Sequence, residues 1–173
     1  AEHANRANPA QDSAKAALTD AEKKHSEGLM RVNHTGEVCA QALYLGQALF
    51  CRDNVIRAQL LEAADEEYDH LKWCQQRIQQ LHGRTSVFNP LWFLGALMMG
   101  IAAGAAGSGY NLGFLVETEK QVEAHLTNHL EIISQNDLPS AAILKQMRDE
   151  EAEHANNAQA NGAKELPNFI KNL

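Results

Sequence analysis

The chain has 173 residues, with 22 Asp and Glu against 15 Lys and Arg, and a formal net charge of −7. Hydrophobic residues make up 45% of it, enough for one domain with its own core and too many for a disordered chain. The acidic balance argues against a nucleic-acid grip, which needs a basic patch.

Cys39, Cys51 and Cys74 lie far apart. With no C-x-x-C pair, neither a zinc knuckle nor a rubredoxin-type iron site is encoded, and the odd count suits a reducing compartment. No signal-peptide pattern is visible, and the missing initiator Met suggests a truncated or processed N-terminus.

Residues 1–18 are rich in Ala, Asn and Gln and read as a loosely ordered lead-in to a single helical domain over 19–173. "TDAE" (Thr19 to Glu22) fits a capping box, and a long helix follows to about Cys51. A second helix runs from about Asn54 to His82, with Gly83 as its stop. "GRTSVFNP" is a loop, in which Asn89 as N-cap and Pro90 at the first helical position open a third helix. "GSGYN" breaks that helix, and Asn111 caps a fourth to about Gln135. "NDLP" is a turn before a fifth helix, which ends at Gly162. A short terminal segment closes the chain. Alternation with period two between hairpin turns is not apparent, so the fold class is all-α.

The third helix carries no charge between Val87 and Val116. Such a stretch is a membrane span, a helix buried in a bundle, or an interfacial element. Its Gly and Ala content dilutes the hydrophobicity, which favours a buried or membrane-touching helix over a span. Gly100 and Gly104 form a G-x-x-x-G, a spacing that lets helices approach closely.

Helical periodicity selects among the acids. On the second helix, Leu60, Ala64, Glu67, Leu71, Cys74, Ile78 and Leu81 form one face, apolar except for Glu67. His70 lies beside that seam and Glu66 falls off it. On the fifth helix the face is Leu144, Met147, Glu151, His154 and Ala158. On the fourth, Glu119 interrupts Leu112, Leu115, Val122, Leu126, His129 and Ile133. The first helix gives Met30, His34, Glu37, Gln41, Tyr44 and Ala48, a more polar seam.

Buried carboxylates without partners are costly, and four of them together repel. Two divalent cations would neutralise them. One Glu from each of two helices plus an E-x-x-H from each of two others is the ligand set of ferritin-like di-iron bundles. Glu37 precedes Glu67 by 30 residues and Glu119 precedes Glu151 by 32, as a duplicated half would. His and carboxylate together suit iron or manganese. His34 and His125, with His129, flank the proposed site as supporting or packing groups. Tyr44 and Trp92 read as core or interface aromatics.

The stretches "LMRVNHTGEVCAQALYLGQAL", "EEYDHLKWC", "NPLWFLGALMMG", "ETEKQVEAHL" and "RDEEAEHA" closely resemble the bacterial Coq7 family of demethoxyubiquinol hydroxylases. The resemblance implies a ferritin-like four-helix bundle with a di-iron core, an apolar crossover helix and a short C-terminal helix. It implies a monooxygenase that hydroxylates the ring of a polyprenyl quinol, demethoxyubiquinol, with O2 in ubiquinone biosynthesis. Carried over by motif, two iron ions per chain fall to Glu37, Glu67, His70, Glu119, Glu151 and His154. Glu67, Glu119 and Glu151 are candidates to bridge them, while His125, Tyr44 and His34 support the site. The resemblance also implies peripheral contact with the cytoplasmic face of the bacterial inner membrane, and it is compatible with a ubiquinone-biosynthesis protein partner and a homo-oligomer. An iron-storage or peroxide-detoxifying ferritin-like protein is the alternative carrying the same ligands.

Overall fold

A computed structural model of the chain describes residues 6–14 and 16–167. It contains five helices: α1 (Asp20–Phe50), α2 (Asn54–Gln80), α3 (Asn89–Ala105), α4 (Ser108–Ile132) and α5 (Leu138–Ala160). No strand occurs among the described residues.

Thr19 and Glu22 close the expected capping box on α1. Asp53 caps α2, its carboxylate accepting from the amides of Val55 and Ile56. The short links α1–α2 and α4–α5 force each pair to lie antiparallel. Those two hairpins form the four-helix bundle, and α3 crosses between them, packed chiefly on α1.

Three boundaries differ from the sequence reading. Gly83 is not the left-handed residue after α2; His82 takes that conformation, with φ 62°. The amides of His82 and Gly83 bond back to Gln79 and Ile78, a Schellman stop. Gly83 is small for another reason, since a Cβ there would overlap the Glu27 side chain. Asn89 is the first residue of α3, not its cap. Its side chain instead accepts from the Thr35 hydroxyl at 3.1 Å and approaches His34 Nδ1 at 3.3 Å. Gly107, with φ 97°, precedes α4, so Asn111 lies inside that helix. There it is buried, and both its backbone and side-chain oxygens accept from Gln47 Nε2 at 2.8 Å.

Helix α3 is buried only along Ala96, Gly100 and Gly104, a row spaced by four residues. A Cβ on Gly100 would overlap the carbonyl oxygen of Leu43, and one on Gly46 would overlap that of Leu97. The small residues therefore serve backbone contact between α1 and α3. The rest of α3 is not buried in the bundle: Leu91, Trp92, Leu94, Met98 and Met99 are exposed. No helix among the described residues is long and apolar enough to cross a membrane.

The lead-in is less loose than its composition suggests. Ala10 is buried, Asn8 donates to Gln76, and Arg6 is tied to α2 and α5. At the other end, residues 163–167 are not helical; the Lys164 amide bonds to Gly109 O at 2.9 Å and Leu166 is buried. The remainder of the expected C-terminal helix lies outside the described residues.

The bundle core divides into two apolar layers. One includes Tyr44, Leu60, Leu112 and Leu115; the other includes Met30, Trp73, Ile78, Leu126 and Met147. Along each bundle helix the inward acids fall between these layers, so the polar cluster sits at mid-height.

Candidate metal centre

The seam acids identified from periodicity are buried. Glu37, Glu67, His70, Glu119 and Glu151 are almost wholly inaccessible, and His154 is slightly exposed. They converge as two groups, Glu37 with Glu67, His70 and Glu151, and Glu67 with Glu119, Glu151 and His154. Within each group the ligand atoms lie within 4.8 Å of one another. Glu67 and Glu151 belong to both groups, whereas Glu119 belongs to one. Of the three bridging candidates, Glu67 and Glu151 are therefore the two common to both groups.

The two histidines are held by a crossed pair of acids. His70 on α2 places Nε2 at 2.6 Å from Glu150 on α5. His154 on α5 places Nε2 at 2.5 Å from Glu66 on α2. An ionised carboxylate only accepts, so each Nε2 carries a proton, and Nδ1 is the nitrogen turned toward the cluster, whose lone pair becomes available to a cation once its own proton is displaced. His70 Nδ1 lies 3.0 Å from Glu67 and 3.3 Å from Glu151. His154 Nδ1 lies 3.4 Å from Glu151 and makes no hydrogen bond.

Sequence reasoning placed Glu66 off the seam. Glu66 does sit at the rim, but it contacts the opposite helix's histidine. Asp69 is fully buried, and Arg6 Nε donates to it at 2.9 Å. The paired doublets "EEYDH" and "EEAEH" carried the signal for Glu66 and Glu150, since both repeat an acid four residues before the histidine. Nothing in the lead-in's composition marked Arg6.

Of the supporting residues expected from sequence, Tyr44 is buried and its hydroxyl donates to Glu119. His34 is buried and turned to Asn89 rather than to a cluster carboxylate. Its burial lowers its pKa. His125, at the wall of a cleft beside the cluster, packs against His129 in a tilted contact, ring centroids 3.9 Å apart. Burial and the neighbouring His125 push His129 down to about 4.

The electrostatics of the cluster favour added positive charge. Burial, then the neighbouring carboxylates Glu67 and Glu151 respectively, push Glu37 and Glu119 well above the usual carboxylate value. Burial disfavours charge on His154, but Glu151 and Glu66 outweigh it and raise the imidazole to about 10. His70 is likewise raised by Glu67 and Glu150 against its burial. Burial also opposes charge on Glu151, yet His154 and His70 hold it below its ordinary value.

The cluster fits a cation on independent grounds. Glu37 Oε2, Glu67 Oε1, Glu119 Oε2, both oxygens of Glu151 and His154 Nδ1 are buried with no hydrogen-bond partner. Leaving that many acceptors unsatisfied in an otherwise close-packed core is expensive. Metal ions would supply the missing partners for all of them.

Beside the cluster runs a cleft of about 1140 Å³ between α1, α3 and α4. Its lining is largely apolar, including Leu43, Trp92, Met99 and Phe114, and Glu37 reaches its wall.

Two antiparallel hairpins enclosing carboxylates and histidines at mid-height define a ferritin-like carboxylate bundle. The architecture is similar to a solved structure described as a dodecameric thioferritin, the bacterioferritin-related protein from Bacteroides fragilis. That match has a TM-score of 0.68, with 20% identity over 80% of this chain and 84% of that one, and carries the fold alone. The chain itself belongs to the family described as ubiquinone biosynthesis protein COQ7, whose model matches residues 24–172. A protein of Chromobacterium violaceum named 3-demethoxyubiquinol 3-hydroxylase is 56% identical over 98% of this chain and 82% of its own length. Proteins with the same name from Xanthomonas campestris pv. campestris and Coxiella burnetii are 53% and 51% identical. They are matched over 95% and 98% of this chain, and over 76% and 79% of their own lengths.

Proposed function

We propose that this chain hydroxylates the ring of a demethoxyubiquinol with O2, as a di-iron 3-demethoxyubiquinol 3-hydroxylase. The observation that carries the reading is the junction of two features. A buried carboxylate–histidine cluster with unpartnered acceptors meets, at Glu37, an apolar cleft large enough for a quinol head group and part of its tail. The names of the relatives support the same reaction.

Two iron ions would be held by Glu37, Glu67, His70 and Glu151 on one side and by Glu67, Glu119, Glu151 and His154 on the other. When bound, they supply the redox capacity that O2 activation needs. The protein's own residues do the rest. The cleft would take the quinol with its head group toward Glu37 and its tail among the apolar lining residues Leu43, Met99 and Phe114. Glu66 and Glu150 fix the imidazoles by accepting from Nε2. Tyr44 holds one oxygen of Glu119 and leaves the other for metal. The layers above and below exclude bulk water, so the carboxylates and imidazoles act at low dielectric. In the overall reaction one oxygen atom of O2 enters the ring and the other leaves as water, the two electrons and two protons this requires coming from oxidation of the quinol itself to the quinone or from an external reductant.

The exposed apolar face of α3 supports peripheral contact with a bilayer, at the cytoplasmic face of the inner membrane. Trp92 and Met99 belong both to that exposed helix and to the cleft lining. A polyprenyl quinol can therefore pass from lipid to cleft without crossing water. The same face is available to a lipid-carrying protein partner. An iron-storage role, the alternative with the same ligands, leaves this apolar cleft without a purpose.

The test is iron quantification joined to a demethoxyubiquinol turnover assay by mass spectrometry. About two irons per chain are expected from the ligand count, with turnover abolished by Glu67→Ala or His154→Ala. A metal-free protein with full turnover would overturn the reading.

A further inference from the structure

We propose that Arg6 is a positioning residue for His70 and makes the two metal positions unequal. The inference rests on the two-ion reading above and adds a part of the chain that no ligand motif contains.

The crossed acids are related by the repeat, but their surroundings are not. Arg6 spans two carboxylates, Nε donating to Asp69 at 2.9 Å and Nη1 to Glu150 at 2.7 Å. Its guanidinium also lies over Trp73, 4.9 Å from the ring centroid. The other side of this assembly is His70, whose ring centroid is 5.4 Å from that of Trp73. His70 is thus fixed by Glu150 at Nε2 and by Trp73 at its face, and Arg6 braces both.

Among the described residues the His154 half has no such two-carboxylate brace: the Arg6 charge is felt at Glu66, but the side-chain hydrogen bond of Glu66 is to His154. Three residues after His154 stands the exposed Asn157, where Trp73 follows His70. Glu153, the counterpart of Asp69, is exposed. The Glu66 side chain is 34% accessible, against 15% for Glu150. Only the forked guanidinium can bond two carboxylates and stack at once. An outer group that locks a carboxylate locks the imidazole it orients, and removing such support commonly weakens metal binding.

The test uses the full chain, stripped of metal and titrated with Co(II) under anaerobic conditions, for wild type, Arg6→Ala, Arg6→Lys and Glu66→Ala. Chelator competition gives the two affinities. NMR of the Co(II) form gives the two exchangeable, paramagnetically shifted imidazole N–H signals, and circular dichroism confirms folding. In Arg6→Ala, one affinity falls about tenfold and one N–H signal is lost to exchange, while the signal that Glu66→Ala removes stays in place. Arg6→Lys keeps the charge beside buried Asp69 but cannot span both acids; it gives a smaller loss at the same position and decides the matter should Arg6→Ala fail to fold. Equal weakening at both positions, or no change at either, overturns the role of Arg6. A wild-type protein that binds fewer than two Co(II) overturns the two-ion reading itself, whatever the Arg6 variants do.

Discussion

Glu150 on α5 grips His70 on α2, Oε2 to Nε2 at 2.6 Å, and the same contact runs in reverse from Glu66 to His154. Each histidine is therefore held by the helix it does not belong to. The arrangement ties α2 to α5 at the level of the cluster, so ligand orientation and helix spacing are set together. Replacing either acid with Ala frees a ring and costs about 10–100-fold in metal affinity. Glu153→Ala, an exposed acid in the same turn of α5, leaves the affinity unchanged. Chelator competition on the three variants checks both statements.

Stripping the metal changes how stability responds to pH. His154 is raised from 6.5 to about 10 in the fold, where burial is outweighed by Glu151 and Glu66. Its folded-state pKa is above the unfolded one, so its stabilisation is complete below pH 6.5 and fades as pH rises toward 10. Glu37 and Glu119 are raised as well, and they push in the same direction above their unfolded value of 4.5. The metal-free protein therefore melts at lower temperature as pH climbs from about 6.5 to 10. Metal binding displaces those protons, so the loaded protein does not share the decline. Melting curves with and without chelator across that range read the difference. A metal-free Tm that rises with pH would contradict the cluster's demand for positive charge.

What the sequence made legible follows from what periodicity can encode. A buried stripe constrains every third or fourth residue of one helix, so Glu67, Glu119, Glu151 and His154 stood out against apolar neighbours and are buried here. Glu37 was harder to read because its seam holds His34, Gln41 and Tyr44. The crossed contacts of Glu66 and Glu150 join different helices, and a pattern along one helix does not record which side chain reaches across. Arg6 was invisible because its partners, Asp69 and Glu150, lie far along the chain. For α3, an apolar helix looks the same whether its outer face meets protein or lipid. Only the placement of Gly100 and Gly104 against Leu43 and Gln47 shows which side is packed.

That packing predicts opposite outcomes at two glycines. A Cβ at Gly100 would overlap the Leu43 carbonyl, a backbone atom that cannot rotate away, whereas one at Gly28 meets nothing within 4 Å. Gly100→Ala should destabilise by about 1–3 kcal/mol through overpacking. It should also push α3 off α1, disturbing the cleft wall at Leu43. Gly28→Ala, inside α1, should stabilise by about 0.5–1 kcal/mol by removing backbone freedom from the unfolded chain. Urea denaturation measures both.

The start of α5 depends on a buried ion pair remote in sequence from the cluster. Arg77 Nη2 donates to Asp137 Oδ1 at 2.6 Å, and Arg77 Nε donates to Ser140 Oγ at 2.8 Å. The same Asp137 oxygen caps α5 by accepting from the Ser140 amide at 3.1 Å. Asp137 is fully buried and Arg77 nearly so. Asp137→Ala strands the guanidinium in the core and uncaps the helix, and should cost about 3–5 kcal/mol. Asp137→Asn keeps an acceptor for the cap while removing the counter-charge, so its loss should be smaller. Because Asp137 contacts none of the cluster residues, either variant, where folded, should bind metal with the wild-type stoichiometry. A loss of metal at full folding would mean that the α5 terminus sets the position of Glu151 and His154 along the bundle, about four turns away.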